Sequence, residues 1–128
     1  MTLLLDTCAL LWFLSNDPVL SAAARAAIEE PSNVRWVSPA SLFEIASKVR
    51  IGKLPLAAPS GAIILARLTS ADIHLLPLEP VHIEPLTILP MHHKDPFDRL
   101  IAATALVERL TLVSADVAFD AYGVTRLW

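Results

Sequence analysis

A chain of 128 residues is long enough to bury its own core and short enough to need no second domain, so residues 1–128 are read as a single domain. With 55% hydrophobic and 18% charged residues and a formal net charge of −3, the composition excludes a disordered chain and offers no overall electrostatic case for nucleic acid. No apolar run approaches ~18 residues, no basic segment precedes the first Leu run, and Cys8 stands alone, so no membrane span, signal peptide, internal disulfide or cysteine-based zinc site is expected, and a reducing cytoplasm is.

Thr2 to Leu5 form a short continuous apolar run, the pattern of a buried central strand, and Asp6 follows at its carboxyl end. An apolar helix runs from about Cys8 to Leu14, with Cys8 expected in the core. Asn16-Asp17-Pro18 breaks it, and Ser21 begins an Ala-rich helix that stops at Pro31. Val34 to Val37 read as a second strand. Ser38 is then an N-cap and Pro39 the first residue of a helix reaching about Arg50. Leu42, Ile45, Ala46 and Val49 are its expected core stripe. At about 100° per residue Glu44 points nearly opposite, toward solvent, four residues before Lys48 and oriented for a helical ion pair.

Gly52 closes that helix, Lys53 to Pro59 is a connector, and another helix spans roughly Ser60 to Ser70. Ile73 to Pro77 is a third strand, and the prolines between Leu78 and Pro90 permit one short helix at most. Asp95 then caps a helix with Pro96 in its first position and Asp98 in its first turn; Leu100, Ile101, Ala103, Thr104 and Val107 supply a broad apolar side. Leu110 to Val113 is a fourth strand, Ser114-Ala115-Asp116 opens a short helix, and Val124 to Leu127 is a final strand.

Strands alternating with helices imply an α/β fold, a three-layer open parallel sheet of about five strands flanked by helices, with sites gathered at the strands' carboxyl ends. Asp6, Glu44, Asp95 with Asp98, and Asp116 lie on four segments that this topology brings to one side of the sheet. Crowded carboxylates repel, and a divalent cation relieves the repulsion. Oxygen donors in this number suit Mg²⁺ or Mn²⁺, while His92 and His93 also leave zinc open on chemistry alone. Two such ions suit phosphodiester hydrolysis by an activated water.

Four stretches carry a family resemblance: Leu4-Leu5-Asp6-Thr7-Cys8-Ala9-Leu10-Leu11-Trp12; Val37 to Leu54 around Glu44; His93-Lys94-Asp95-Pro96-Phe97-Asp98-Arg99-Leu100; and Leu112-Val113-Ser114-Ala115-Asp116. Weak singly, together and in this order the sequence resembles PIN-domain ribonucleases, specifically VapC-type toxins of type II toxin-antitoxin pairs. The resemblance implies a PIN-like fold and a Mg²⁺- or Mn²⁺-dependent endoribonuclease that hydrolyses RNA with a metal-activated water. It implies an acidic quartet of Asp6, Glu44, Asp98 and Asp116, with Asp6 and Asp98 as principal metal ligands. That moves Glu44 from surface ion pair to site residue. It further implies a VapB-like antitoxin partner and a homodimer, which the apolar excess also favours. The histidines are not ligands in that pattern.

Lys48, Arg50 and Lys53 form the densest basic cluster, either a solvated face or a set of phosphate contacts to RNA. Thr7 and Ser114 are strand-end hydroxyls that cap helices or position water. Asp95 is read as an N-cap, His93 as a brace for its loop, and Trp12, Trp36 and Trp128 as core or interface. Two other readings stand beside the nuclease. A catalytically inactive PIN-like interaction module would share the fold without the chemistry, and the complete quartet argues against it. A phosphoacceptor domain would need an Asp ending the third strand, where this chain has Ile73-His74-Leu75-Leu76-Pro77.

Overall fold

The structure is a computed structural model and describes residues 1–54 and 61–128. The chain runs β1 (Thr2–Leu5), α1 (Thr7–Leu14), α2 (Ala22–Glu29), β2 (Val34–Val37), α3 (Pro39–Arg50), α4 (Gly61–Ser70) and β3 (Ile73–Leu75). It continues through α5 (Pro80–Ile83), a 3-10 turn at Glu84–Thr87, α6 (Pro96–Glu108), β4 (Thr111–Val113), a 3-10 segment at Val117–Tyr122 and β5 (Thr125–Leu127). The expected connector over Pro55–Pro59 and the helix start at Ser60 lie outside the described residues.

All pairings are parallel, in the order β3-β2-β1-β4-β5. Leu3, Leu4 and Leu5 are wholly buried because β1 is central and both faces of the sheet are covered. The strand's alternation divides them. Leu3 and Leu5 join Ala9, Leu10, Ala24, Ile28, Ile45 and Leu68 on one face, while Leu4 joins Ile101, Ala102, Ala105, Leu112 and Phe119 on the other. Two cores on one sheet make the three layers expected from the sequence.

Local chemistry sets the element ends. Asp6, Ser21, Ser38 and Asp95 cap α1, α2, α3 and α6 with their side chains. Gly52 sits at φ +75° just past α3, in the left-handed region that ends helices. The fourth strand begins at Thr111, one residue later than expected, because Arg109 takes the left-handed conformation and the Leu110 N–H closes α6 on Ala105 O at 2.9 Å. β3 is shorter than Ile73–Pro77, although Leu76 N–H still reaches Val37 O at 2.9 Å. Between Leu78 and Pro90 there are two short turns of helix where one was expected. At the start of the first, the Glu79 N–H donates to His82 Nδ1 at 3.0 Å and the His82 N–H donates to the Glu79 carbonyl at 2.9 Å.

Arg35, on β2, is buried. Its guanidinium donates to Ile28 O, Glu30 O, Asp72 O and Asp72 Oδ2, tying the end of α2 to the start of β3. Nothing in the sequence marked it. No helix among the described residues is long and apolar enough to cross a membrane.

Candidate active site

The sheet order turns at β1: the chain adds β2 and β3 to one side of it, then crosses to add β4 and β5 on the other. In open parallel sheets such a reversal leaves a crevice at the strands' carboxyl ends. Asp6 leaves β1 there, and Ser114 and Asp116 leave β4 beside it; the Asp6 N–H donates to Val113 O at 3.1 Å. α3 follows β2 and brings Glu44, and the first turn of α6 brings Asp98.

Asp6 is buried and caps α1, its Oδ1 accepting the Ala9 N–H at 2.7 Å. Burial pushes its carboxyl above the ordinary 3.8, the charges of Asp116 and Glu44 push the same way, and hydrogen bonds from Ser114 and the Ala9 N–H oppose them. Asp98 is pushed up to about 6, first by burial, then by the charge of Asp95, with Glu44 and Asp6 adding to it. The cap of α6 is made by Asp95, whose Oδ1 accepts the Phe97 N–H at 2.8 Å, so Asp98 is left over from the local work of starting the helix. Asp6 thus feels the charges of Asp116 and Glu44, and Asp98 those of Glu44 and Asp6, as acids gathered near the strands' carboxyl ends do.

Glu44 corrects the expectation from helical periodicity. It is 6% exposed, while Ala46, assigned to the core stripe, is exposed. The inward face of α3 is Ala40, Ser41, Glu44 and Ile45, because this helix packs against α1 and α6 at the crevice and there buries polar side chains. The ion pair to Lys48 is present as expected, at 3.2 Å, and coexists with burial. Cys8 is a second correction. It was expected in the core and is exposed, since α1 turns Ala9 and Leu10 inward instead.

Thr7 Oγ1 donates to Ser41 Oγ at 3.0 Å, so the Thr7 hydroxyl ties α1 to α3. Ser114 is fully buried; its hydroxyl bonds Asp6 and accepts the Asp116 N–H at 3.1 Å, linking two of the acids. Asp116 is held below the usual carboxylate range: burial raises it, but the His93 hydrogen bond, the Ala118 N–H and the charge of Arg126 outweigh that. Arg50 and Lys53 are exposed near the end of α3, on the same helix as the half-exposed Lys48.

Sequence reasoning missed Tyr122, whose hydroxyl meets His93, and the aromatic contact of Phe43 with Phe97 at 5.5 Å. Each of these phenylalanines immediately precedes a site acid, a signal readable only once the two acids are known to be neighbours. Trp12 meets Trp128 at 5.7 Å, both half-buried.

Whether the acids suit a cation is decided by their chemistry. The donors are carboxylate oxygens, the Asp6 and Asp98 carboxyls are raised first by burial and further by the neighbouring acids, and Lys48 is the counter-charge at the edge of the set. Such a set fits a hard divalent cation that keeps several waters. Among the described residues no three of His, Cys, Asp or Glu are drawn into a closed ligand set.

The family described as PIN domain matches residues 3–124. Among solved structures, the chain is similar to VapBC2 from Rickettsia felis bound to a DNA fragment from their promoter, with TM-score 0.73 and 16% identity over 99% of this chain and 98% of that one. It is similar to VapBC-1 from nontypeable Haemophilus influenzae, with TM-score 0.69 and 17% identity over 99% of this chain and 97% of that one. FitAcB from Neisseria gonorrhoeae aligns with TM-score 0.59 and 20% identity over 98% of this chain and 96% of that one. Likeness at these identities is a likeness of fold. No curated protein matches the chain.

Proposed function

Because the chain belongs to the PIN domain family, whose members are generally nucleases, we propose that it is a divalent-metal-dependent endoribonuclease and the toxin of a toxin-antitoxin pair. The observation that carries the reading is Asp98, a first-turn acid with no capping duty whose carboxyl is pushed up to about 6 by burial and by the acids around it. A fold gains nothing by gathering such charges unless they hold something positive.

In this reading Asp6 and Asp98 would hold Mg²⁺ or Mn²⁺, with Glu44 and Asp116 completing the set directly or through waters. Held there, such an ion would supply electrostatic stabilisation of the phosphodiester and a lowered pKa for an attacking water. The protein's own groups do the rest. Ser114 fixes Asp6 relative to Asp116. Lys48, Arg50 and Lys53 neutralise backbone phosphates of the RNA and set its register beside the acids. Hydrolysis adds water across one P–O ester bond, with the proton ending on the departing sugar oxygen.

The toxin role draws on the VapBC structures the chain resembles in fold and on a further similar structure, described as a toxin-antitoxin complex from Klebsiella pneumoniae. A VapB-like antitoxin covering the acidic crevice would hold the enzyme inactive in the cytoplasm. The test is cleavage of a structured RNA by purified protein in MnCl2, MgCl2 or chelator, with Asp98→Asn as the control. Metal-dependent cleavage lost in the variant is expected; equal cleavage by the two proteins would sink the assignment.

A further inference from the structure

Asp116 is the most exposed of the four acids, its side chain 44% accessible, and a carboxylate at that exposure is free to rotate unless something stops it. His93 stops it. The imidazole is 8% exposed and enclosed by aromatic rings: Tyr122 stacks on it at 5.5 Å and 10°, and Phe119 lies 4.5 Å away at 37°. Its Nε2 stands 2.7 Å from Asp116 Oδ2, and its Nδ1 stands 2.9 Å from the Tyr122 hydroxyl.

The direction of each bond follows from the donor at one end. The His93 backbone N–H donates to the Tyr122 oxygen at 2.9 Å. The phenol's own proton is then free to point at Nδ1, which accepts it. That leaves the ring proton on Nε2, where the ionised Asp116 can only accept. The other oxygen of Asp116 accepts the Ala118 N–H at 2.9 Å, and the Asp116 N–H donates to Ser114. Both carboxylate oxygens and the backbone are thereby pinned, and each oxygen keeps a lone pair beyond the bond it accepts.

We propose that His93 and Tyr122 are positioning residues that fix the rotamer and tautomer geometry around Asp116 so that its carboxylate is aimed into the acidic crevice before metal arrives. The inference rests on the reading of Asp116 as a site acid. Partners of this kind act through the acid they hold, and their loss costs about 10- to 100-fold in metal affinity or activity. A group already oriented also binds without losing rotational freedom at that moment.

The experiment compares His93→Phe, His93→Gln and Tyr122→Phe with wild type. The phenylalanine at 93 keeps the ring stack and removes the donor; glutamine restores an N–H within reach of Asp116; Tyr122→Phe removes only the hydroxyl. Each is measured for melting temperature in chelator, Mn²⁺ affinity by titration calorimetry, and kcat and KM for RNA cleavage. Nitrogen-15 NMR of wild type reads which ring nitrogen carries the proton. The expected result is an Nε2–H tautomer, His93→Phe folded with Mn²⁺ affinity reduced about 10-fold or more, the loss in kcat rather than KM, and substantial recovery in His93→Gln. If wild type binds Mn²⁺ and His93→Phe binds and cleaves as well as it does, or if Gln and Phe are equally impaired, the positioning role is overturned while the nuclease reading stands. If wild type itself neither binds Mn²⁺ nor cleaves, both fall.

Discussion

Lys48 Nζ stands 3.2 Å from Glu44 Oε2, one turn along α3, with the carboxylate side chain 8% exposed and the lysine 43%. One end of the pair is thus inside the crevice and the other at its lip. Burial alone would lower the lysine, but the Glu44 hydrogen bond and charge hold it above its ordinary 10.5, so it stays positive where a phosphate would arrive. Lys48→Ala strands a buried carboxylate and should cost about 1–2 kcal/mol in metal-free protein, less than a fully buried pair because water screens the lysine. Chemical denaturation of wild type and variant checks it. Glu44→Gln should be far milder.

Lys48→Ala combined with Lys53→Ala should weaken binding of single-stranded RNA and flatten the plot of log affinity against log salt by about 1.4, two phosphate contacts at ~0.7 each. The background for this measurement is Asp98→Asn, so that RNA survives the titration. An unchanged slope would return these lysines to the solvated surface.

Asp98→Asn in chelator near neutral pH should melt at or above wild type. The helix cap belongs to Asp95, and no side-chain hydrogen bond of Asp98 occurs among the described residues, so the substitution removes repulsion and little else. Mn²⁺ should then raise wild type's melting temperature by mass action and hardly move the variant's. A clearly less stable apo variant with an equal response to metal would remove the basis for a shared acidic site.

Acid should erase that difference. Asp98 gives up its proton near pH 6 when folded and near 3.8 when unfolded, so between these values the folded chain holds more protons. Its carboxyl is therefore least harmful below pH 3.8, and stability is lost as pH rises through 6. The full shift corresponds to about 3 kcal/mol, reduced by solvent screening to about 1–2 kcal/mol. The advantage of Asp98→Asn at pH 7.5 should accordingly shrink at pH 5, measured in chelator so that metal does not intervene. Asp116, held below 3.8, contributes oppositely and only at lower pH.

The isolated chain should sediment as a dimer at micromolar concentration. Val81, Ile83, Ile88 and Met91 are exposed large apolar residues grouped in the α5 segment and its approach to α6, and Ile63 and Leu65 are exposed on α4. Monomer at every accessible concentration would refute this, and Ile88→Lys should shift the equilibrium toward monomer if that segment forms the contact.

Elements were most legible where one residue had one job. Asp95 before Pro96, Ser38 before Pro39 and Gly52 after Arg50 each carried a backbone requirement no neighbour could override. Glu44 was not legible from its own helix, because periodicity ranks residues by hydropathy and α3 buries a polar face against two other helices. Cys8 failed for the mirror reason: an apolar residue on a helix whose covered side was already filled by Ala9 and Leu10. Arg35 and Tyr122 were silent because their partners lie far along the chain, at Asp72 and His93, and only the completed sheet brings them within reach.

The central strand β1 lies between β2 and β4, and its pairing with β4 sets Leu3 beside Thr111, positions far apart along the sequence. Pairings of that kind close a long loop before any contact repays it, so they form slowly. Asp6 follows β1 and Asp116 follows β4, so these two acids come together only when that distant pairing is made. A partly folded domain therefore carries the acids without the crevice, and the charged surface appears together with the finished sheet.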